Sequence, residues 1–253
     1  MNTNSNLYTV IYTAIIVTVV AAVLAFVSQS LKDKQEANEK AETISQMLTA
    51  GGFGSKAEFQ ALGNAKVLET YGNEIGEAFT VNAEGAKVAD LDLGHKEIFS
   101  RSQLKAQNYK VKDGEGYEIP VFKFKNGITV VPVYGAGLWG PIWGYIAFEA
   151  DGKTIHGAYF DHESETAGLG AKIKDDPDFQ AEFVGEQAFF GQSPVFAIVK
   201  GGAPKEEGKS VVDNQVDAIT GATMTSNGLD AAINTWLGAY AAYFGTVKEE
   251  VEE

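Results

Sequence analysis

The residues with the clearest chemical potential are four side-chain hydroxyls within seven positions: Thr220, Thr223, Thr225 and Ser226. They come directly before the amphipathic stretch that predicts the last helix. Gly221 allows a turn that exposes the hydroxyl of Thr223, and the amides and positive dipole at a helix start attract phosphate. Helix capping by Thr225, Ser226 or Asn227 explains part of the pattern, although four hydroxyls exceed what capping requires. The segment predicts an exposed hydroxyl beside a phosphate-binding helix end.

Two glycine-rich segments earlier in the chain have the composition of a ligand site. Residues 165–172 read ETAGLGAK, which suits an aromatic heterocycle with polar edges, although a plain loop explains the pattern more simply. Residues 137–145 read GLWGPIWGY. This composition is typical either of a packed corner with both Trp side chains in the core, or of a backbone that approaches a flat ligand beside Trp139 or Trp143. The residues alone leave both interpretations open.

The literal GxGxxG pattern at Gly135–Gly140 does not predict a dinucleotide site. It follows an apolar strand, and Asp161 lies about twenty residues further on, as in a dinucleotide-binding unit. That unit also needs a helix at the third glycine, whose N-terminus faces the pyrophosphate. Here Pro141 and a second hairpin follow, so we expect no NAD at this position.

The composition excludes several classes of function. The 253-residue chain has no cysteine, so any redox chemistry must use a cofactor held without thiolates. The 34 Asp and Glu against 20 Lys and Arg give a net charge of −14, which disfavours nucleic acid. His95, His156 and His162 are too scattered for a metal motif. We therefore predict no metal site and no nucleic-acid partner.

The first 31 residues carry no charge, and within them Leu7–Val27 is apolar apart from Tyr and Thr. At 1.5 Å per residue this stretch spans about 30 Å, the thickness of a bilayer's hydrocarbon core. Because Met1–Asn6 has no Lys or Arg, a retained transmembrane helix fits better than a cleaved signal peptide. Three lysines after the helix, mixed with three acids, weakly favour a cytoplasmic body.

The rest of the chain predicts an α+β fold, with antiparallel hairpins and helices before and after them. Turns are expected at Asn126-Gly127 and Asp151-Gly152. Predicted helices cover 35–48, 55–63, a short segment from Asp176-Pro177, and 227–244, and an apolar strand covers 195–199. The predicted organisation is an N-terminal segment 1–31 with its transmembrane helix at about 7–27, a helical linker and first part of the soluble body at 32–110, a main domain at 111–247, and an acidic tail at 248–253.

Residues 217–223, DAITGAT, closely resemble a motif of Asp followed by Ser/Thr-Gly-Ala-Thr, at which a dedicated flavin transferase joins FMN to threonine through a phosphoester bond. With GLWGPIWGY, the ETAGLG turn and the N-terminal apolar helix, the chain resembles the family of the C subunit of the sodium-translocating NADH:quinone oxidoreductase. The resemblance implies that residues 111–247 form an FMN-binding domain and that Thr223 accepts FMN from FAD with release of AMP. It also implies that Asp217 belongs to the recognition sequence of the transferase. The family's turn usually has Pro where this chain has Ala167.

The resemblance further implies which residues surround the flavin. The expected cofactor-binding residues besides Thr223 are Trp139, Glu165, Thr166, Gly168, Leu169, Gly170, Lys172, Thr220, Gly221, Ala222 and Thr225. No catalytic residue is expected in this chain, because the flavin would only accept electrons and pass them on.

By the same resemblance, the chain is an electron-carrier subunit in the bacterial inner membrane, within a complex that oxidises NADH, reduces ubiquinone or another quinone and moves sodium ions. Its partners would be other membrane and flavoprotein subunits, and the flavin transferase during maturation. The soluble domain would lie on the periplasmic side, against the weak charge signal. Two alternatives stay open: the equivalent flavoprotein subunit of an Rnf-type electron-transport complex, and an anchored binding or sensor domain with an unmodified Thr223.

Overall fold

A computed structural model describes residues 6–91, 99–203, 205–206, 209–210 and 212–245. His95 and the predicted acidic tail lie outside the described residues. The helices are α1 (Asn6–Ala50), α2 (Lys56–Leu62), α3 (Asn64–Glu74), α4 (Arg101–Asp113), α5 (Lys172–Asp175), α6 (Pro177–Ala181) and α7 (Thr223–Ala239). The strands are β1 (Ile75–Val81), β2 (Lys87–Asp90), β3 (Ile119–Phe124), β4 (Thr129–Ala136), β5 (Pro141–Phe148), β6 (Ile155–His162), β7 (Ala197–Val199), β8 (Lys205–Glu206), β9 (Lys209–Ser210) and β10 (Gln215–Asp217).

The chain divides into two compact units, Met1–Lys40 and Ala41–Glu253. In the first unit, the apolar side chains of α1 are exposed, and the helix has the length and composition to cross a membrane. Thr13 and Thr18 donate their hydroxyls to the backbone carbonyls of Thr9 and Ala14, four residues earlier, each at 2.8 Å. The sequence predicted separate helices at 7–27 and 35–48. The structure joins them, because the residues between contain neither Gly nor Pro to end the helix.

The second unit is built on a six-stranded antiparallel sheet in the order β2-β1-β3-β4-β5-β6. Both predicted hairpin turns are present. Gly127 has φ +91° and donates its N–H to Phe124 O (3.0 Å), and Gly152 has φ +68° and donates to Glu149 O (3.0 Å). The predicted α+β class, with hairpins flanked by helices, is confirmed.

The two faces of this sheet are covered by different helices. Gly135 of β4 faces α7, since a Cβ atom there would lie 2.6 Å from Ala232 Cβ. Gly135 pairs with Ile142 of β5, so the next residue of that strand, Trp143, lies on the opposite face. There it donates its indole N–H to Gln46 Oε1 near the end of α1 (3.1 Å). Covering both faces explains why β4 and β5 are buried along almost their whole length instead of alternating.

A buried polar cluster fixes the end of α1 to the sheet. Gln46 also donates its side-chain amide to Asp161 Oδ2 of β6 (2.8 Å), and Asp161 pairs with Lys174 of α5 (2.9 Å). Gly157 of β6 lets the carbonyl of Ala50 approach so closely that a Cβ would lie within 3.0 Å of it. The last turns of α1 are thus part of the folded body.

The sheet extends further toward the N-terminus than the sequence indicated. The predicted boundary at residue 111 separates β1 and β2 from β3, whereas β1 pairs with β3 in register from Val81↔Ile119 to Ile75↔Phe124. Residues 75–90 therefore belong to the sheet, and the compact unit begins at Ala41. The pairing joins segments about forty residues apart, which local patterns do not reveal.

The last helix supports a small parallel pair, β7 and β10. Asn234 of α7 accepts from the N–H of Val195 (2.9 Å), and Asp230 accepts from the N–H of Ile198 (2.8 Å). Side chains of α7 thus supply acceptors to the residues at and just before β7. Burial raises the pKa of Asp230 above its ordinary value, against the opposing effect of the hydrogen bond from Ile198.

Candidate functional site

The motif with four hydroxyls, at Thr220, Thr223, Thr225 and Ser226, lies at the N-terminus of α7. The sequence predicted a helix from about residue 227, but α7 begins at Thr223 itself, after Ala222 at the N-cap. The N-cap residue makes no side-chain hydrogen bond to this end, because the methyl group of Ala222 has no hydrogen-bonding atom. Thr223 is therefore the first helical residue, on the helix turn that carries the free amides and the positive end of the dipole.

The four hydroxyls of the motif have different environments. Thr225 is 1% exposed and donates its hydroxyl to Glu165 Oε2 (2.7 Å). Ser226 is also 1% exposed, and its hydroxyl accepts from the N–H of Ile219 (3.1 Å). The prediction that Thr225, Ser226 or Asn227 caps the helix is therefore wrong. Thr223 and Thr220 are exposed.

A pocket of about 170 Å³ opens beside Thr223. It is lined by the residues Leu138, Glu165, Thr166, Leu169, Gly170, Gly221, Ala222, Thr223, Met224 and Thr225. The pocket thus joins three segments that are distant in sequence: the β4–β5 turn, the ETAGLG turn, and the start of α7. Its rim is apolar, because Leu138, Leu169 and Met224 are all exposed.

Glu165 is the residue that connects these three segments. Its carboxylate is buried, and its Oε1 accepts from the backbone N–H of Trp139 in the β4–β5 turn (2.9 Å). Its Oε2 accepts the bond from Thr225 of α7. Its own N–H donates to His162 Nδ1 (3.0 Å). Each carboxylate oxygen has a donor, as burial of such a group requires.

Two glycines make room for this carboxylate. A Cβ at Gly137 would lie within 3.0 Å of Glu165 Oε1 and 2.9 Å from Ile142 Cγ2. A Cβ at Gly170 would lie within 3.0 Å of Glu165 Oε2 and 2.5 Å from Thr225 Oγ1. These distances are shorter than real Cβ contacts. The glycines of the GxGxxG pattern thus serve packing in a hairpin turn, where the N–H of Gly137 donates to Gly140 O (2.8 Å).

The two tryptophans of GLWGPIWGY have different environments. Trp143 is 4% exposed and belongs to the core, where Arg101 lies over its ring at 4.9 Å from the centroid. Trp139 is 66% exposed. It contributes its N–H and C=O to the turn, and its carbonyl accepts from Ser164 Oγ (2.9 Å).

Eight of the expected cofactor-binding residues line the pocket: Glu165, Thr166, Leu169, Gly170, Gly221, Ala222, Thr223 and Thr225. The expected residues Trp139, Gly168, Lys172 and Thr220 do not line it. Leu138 and Met224 line it and were not predicted. A helix start placed correctly at Thr223 would have indicated its neighbour Met224 as a pocket residue. Leu138 lies within the GLWG turn, which the sequence analysis had already selected as a candidate ligand segment.

The ETAGLG turn has a defined geometry. The N–H of Leu169 donates to Thr166 O (3.1 Å), and Gly168 has φ +75°. A positive φ at the third residue defines a type II turn, in which Ala167 occupies the second position, where Pro is common. We therefore expect this turn to accept Pro at residue 167.

Asp217 lies outside the pocket, at the end of β10. Its Oδ1 accepts from the N–H of Ala203 (2.6 Å), and its own N–H donates to Glu182 Oε2 (2.8 Å). Gly202, with φ +94°, lies directly against it. Asp217 thus stabilises the loop after β7, six positions before Thr223.

The class of this domain follows from the family model described as the FMN-binding domain, which matches residues 137–238. Among curated proteins, the C subunit of the Na(+)-translocating NADH-quinone reductase from Vibrio parahaemolyticus is 31% identical over 225 residues, covering 82% of this chain and 81% of that protein. The Yersinia pestis protein of the same name is 39% identical over 127 residues, covering 49% of this chain and 44% of its own length.

Solved structures agree. The crystal structure of the protein of that name from Parabacteroides distasonis has a TM-score of 0.67 and 32% identity, covering 85% of this chain and 96% of that one. NqrC from Shewanella oneidensis has a TM-score of 0.61 and 25% identity, covering 84% and 99%. The chain belongs to the NqrC family, the C subunits of Na(+)-translocating NADH-quinone reductases, as the sequence motifs predicted.

Proposed function

We propose that this chain is a membrane-anchored flavoprotein subunit of a Na(+)-translocating NADH:quinone oxidoreductase, with FMN joined through its phosphate to Thr223. The observation that carries the proposal is the exposed Thr223 hydroxyl at the uncapped start of α7, on the wall of the pocket. Family membership supports the quinone reductase over an Rnf-type complex or an unmodified sensor domain.

The residues present fit the phosphate end of FMN. The helix start supplies amides and positive dipole to the phosphate, and Gly221, with φ +81°, adds no side chain beside it. Pockets that enclose a whole ligand measure about 300–1,000 Å³. This pocket, at about 170 Å³, therefore holds only part of the cofactor, and the rest extends beyond it. The exposed apolar side chains of Leu138, Leu169 and Met224 suit the flat, partly apolar remainder.

Attachment of FMN to Thr223 is a phosphoryl transfer from FAD. The Thr223 oxygen bonds to the phosphorus of the FMN half of FAD, the pyrophosphate bond breaks, and AMP leaves with the bonding electron pair. A base of the flavin transferase takes the hydroxyl proton. The fold leaves Thr223 accessible for this step, while Thr225 and Ser226 are buried and engaged in hydrogen bonds. The resulting phosphodiester prevents loss of the cofactor from a chain that has no thiolate to hold one.

Bound FMN supplies the capacity to accept electrons from one carrier and donate them to another. The chain's own residues bind and orient it. The buried side chain of Glu165 holds the turn and the helix together. The partners in electron relay are other membrane and flavoprotein subunits of the complex, and no residue of this chain needs to transfer a proton.

We further propose that α1 anchors the chain in the inner membrane, with the body on the periplasmic side, where the transferase would reach it. The charge-free stretch and exposed apolar surface of α1 support the anchor. A reporter active only in the periplasm, fused after Glu253, should be active. An inactive fusion at normal expression would reverse the topology.

Co-expression with the flavin transferase tests the attachment. Fluorescence of the denatured protein in a gel should be present for the wild type and Thr223→Ser, which keeps a hydroxyl, and absent for Thr223→Ala. Ser102→Ala is the control, because it removes an exposed hydroxyl on α4 that lies outside the motif and the pocket, and it should stay fluorescent. Fluorescence in Thr223→Ala, or none in the wild type, would contradict the proposal.

A further inference from the structure

We infer that Glu165 is a positioning residue for flavin attachment: it acts on the Thr223 hydroxyl through Thr225 and through the β4–β5 turn, and it does not itself react. The inference rests on the proposed function. Sequence reasoning expected Glu165 to border the flavin, whereas in the structure both carboxylate oxygens are occupied by protein donors.

The contacts of the carboxylate explain how it could act at a distance. Thr225 lies two residues after Thr223 on the first turn of α7, so fixing its side chain fixes the orientation of that turn. Trp139 belongs to the β4–β5 turn, next to Leu138, which also lines the pocket. One buried side chain thus holds the helix start to the β4–β5 turn.

The glycines around Glu165 provide an independent observation. Neither Gly137 nor Gly170 has a positive φ, so backbone conformation does not require glycine at either position. What requires it is space, because a Cβ at each would collide with a carboxylate oxygen of Glu165. Two chain segments therefore leave room for this carboxylate.

A carboxylate that only positions the acceptor affects the rate of transfer and not the recognition of the chain. Misplacing a reacting group by about 1 Å can reduce a rate about 10²-fold. Asp217, the expected recognition residue, makes its contacts elsewhere, with Ala203 and Glu182. We therefore expect loss of Glu165 to lower the maximal rate and leave the KM for this chain unchanged.

The test is a time course of flavin attachment to the detergent-solubilised full-length chain, with purified transferase and FAD, at several chain concentrations. Glu165→Ala should lower the maximal rate at least about 10-fold at an unchanged KM. Glu165→Gln should give an intermediate rate, because its amide can accept from Trp139 and donate to the Thr225 hydroxyl. Glu163→Gln is the matched control: it removes an exposed carboxylate two residues away and should react like the wild type.

Two further variants keep the inference testable if Glu165→Ala does not fold. Thr225→Val keeps the side-chain shape but removes the donor, and should slow attachment, whereas Thr225→Ser restores the hydroxyl and should recover most of the rate. Wild-type rates in Thr225→Val and Glu165→Gln would overturn the inference, and so would a raised KM with an unchanged maximal rate. A wild type that accepts no flavin would overturn the proposed function, and this inference with it.

Discussion

The packing of α7 against β4 determines the position of Thr223. Two glycines of α7 allow this packing to be tested. Gly228 and Gly238 both lie in this helix, Gly228 in its second turn and Gly238 in its last turn. A Cβ at Gly228 would lie within 3.0 Å of the Ala136 carbonyl oxygen, 3.2 Å from its carbon and 3.4 Å from Gly137 Cα. A Cβ at Gly238 would meet nothing within 4 Å. Alanine substitution therefore adds the same methyl group to a closed contact and to an open surface.

The magnitudes follow from two opposing effects. Replacing Gly by Ala inside a helix stabilises by about 1 kcal/mol at either position. At Gly228 the methyl group meets backbone atoms, which cannot rotate away, and overpacking of this kind costs about 1–3 kcal/mol or more. Because the clash at Gly228 is with backbone atoms, we place its cost in the upper part of this range, at about 2–3 kcal/mol, so that Gly228→Ala should lower the free energy of unfolding by about 1–2 kcal/mol. Gly238→Ala should raise it by about 0.5–1 kcal/mol. The difference of about 1.5–3 kcal/mol corresponds to about 3–12 °C in Tm.

Thermal unfolding of the full-length chain in detergent, followed by near-ultraviolet circular dichroism, measures this difference. Flavin attachment adds a second measurement, since Gly228→Ala displaces the start of α7 and should slow attachment, whereas Gly238→Ala should not. If Gly228→Ala stabilises the protein as much as Gly238→Ala, then α7 does not pack on β4 as described, and the positioning of Thr223 by that contact is refuted.

Three other substitutions have defined outcomes. Ala167→Pro occupies the second position of the type II turn before Gly168 and should raise the free energy of unfolding by about 0.4–1 kcal/mol in urea titration. Asp230→Asn keeps the acceptor for Ile198 and removes a carboxylate whose pKa is raised by burial. A raised folded-state pKa gives the wild type stability that is present below the unfolded-state pKa and is lost as the pH rises through the folded-state pKa. The variant should therefore gain stability relative to the wild type from about pH 4 upward. A constant difference in stability from pH 3 to 7 would refute this. Gln46→Leu leaves the buried Trp143 and Asp161 groups without that partner and should cost about 2–4 kcal/mol in the same titration, whereas a loss below about 0.5 kcal/mol would contradict the cluster's role.

Local signals predicted much of this fold. The Asn-Gly and Asp-Gly turns, the end of the helix predicted over 35–48 and the Pro at the start of α6 each depend on neighbouring residues, and each is present to within two residues. The strand pair β1–β3 depends on segments far apart in sequence, so it was not predicted. The start of α7 was misassigned because Thr and Ser resemble caps, whereas here tertiary hydrogen bonds use them.

The candidate site, like the fold, could be predicted only where local sequence determines it. The hydroxyl motif and both glycine-rich segments could be found from residue types and spacing, and most of the expected residues line one pocket. The contacts of Glu165 join residues 26 and 60 positions away, so its bonds to Trp139 and Thr225 could not be predicted from local pattern. Exposure also separates Trp139 from Trp143, although composition treats them alike.

The most direct test of the account is peptide mass spectrometry of the chain isolated from cells that contain the flavin transferase. The account predicts one FMN per chain, joined as a phosphoester and located by fragmentation on Thr223, with Thr220, Thr225 and Ser226 unmodified. FMN located on another residue, or a Thr223 peptide of unmodified mass in a chain competent for electron transfer, would contradict it.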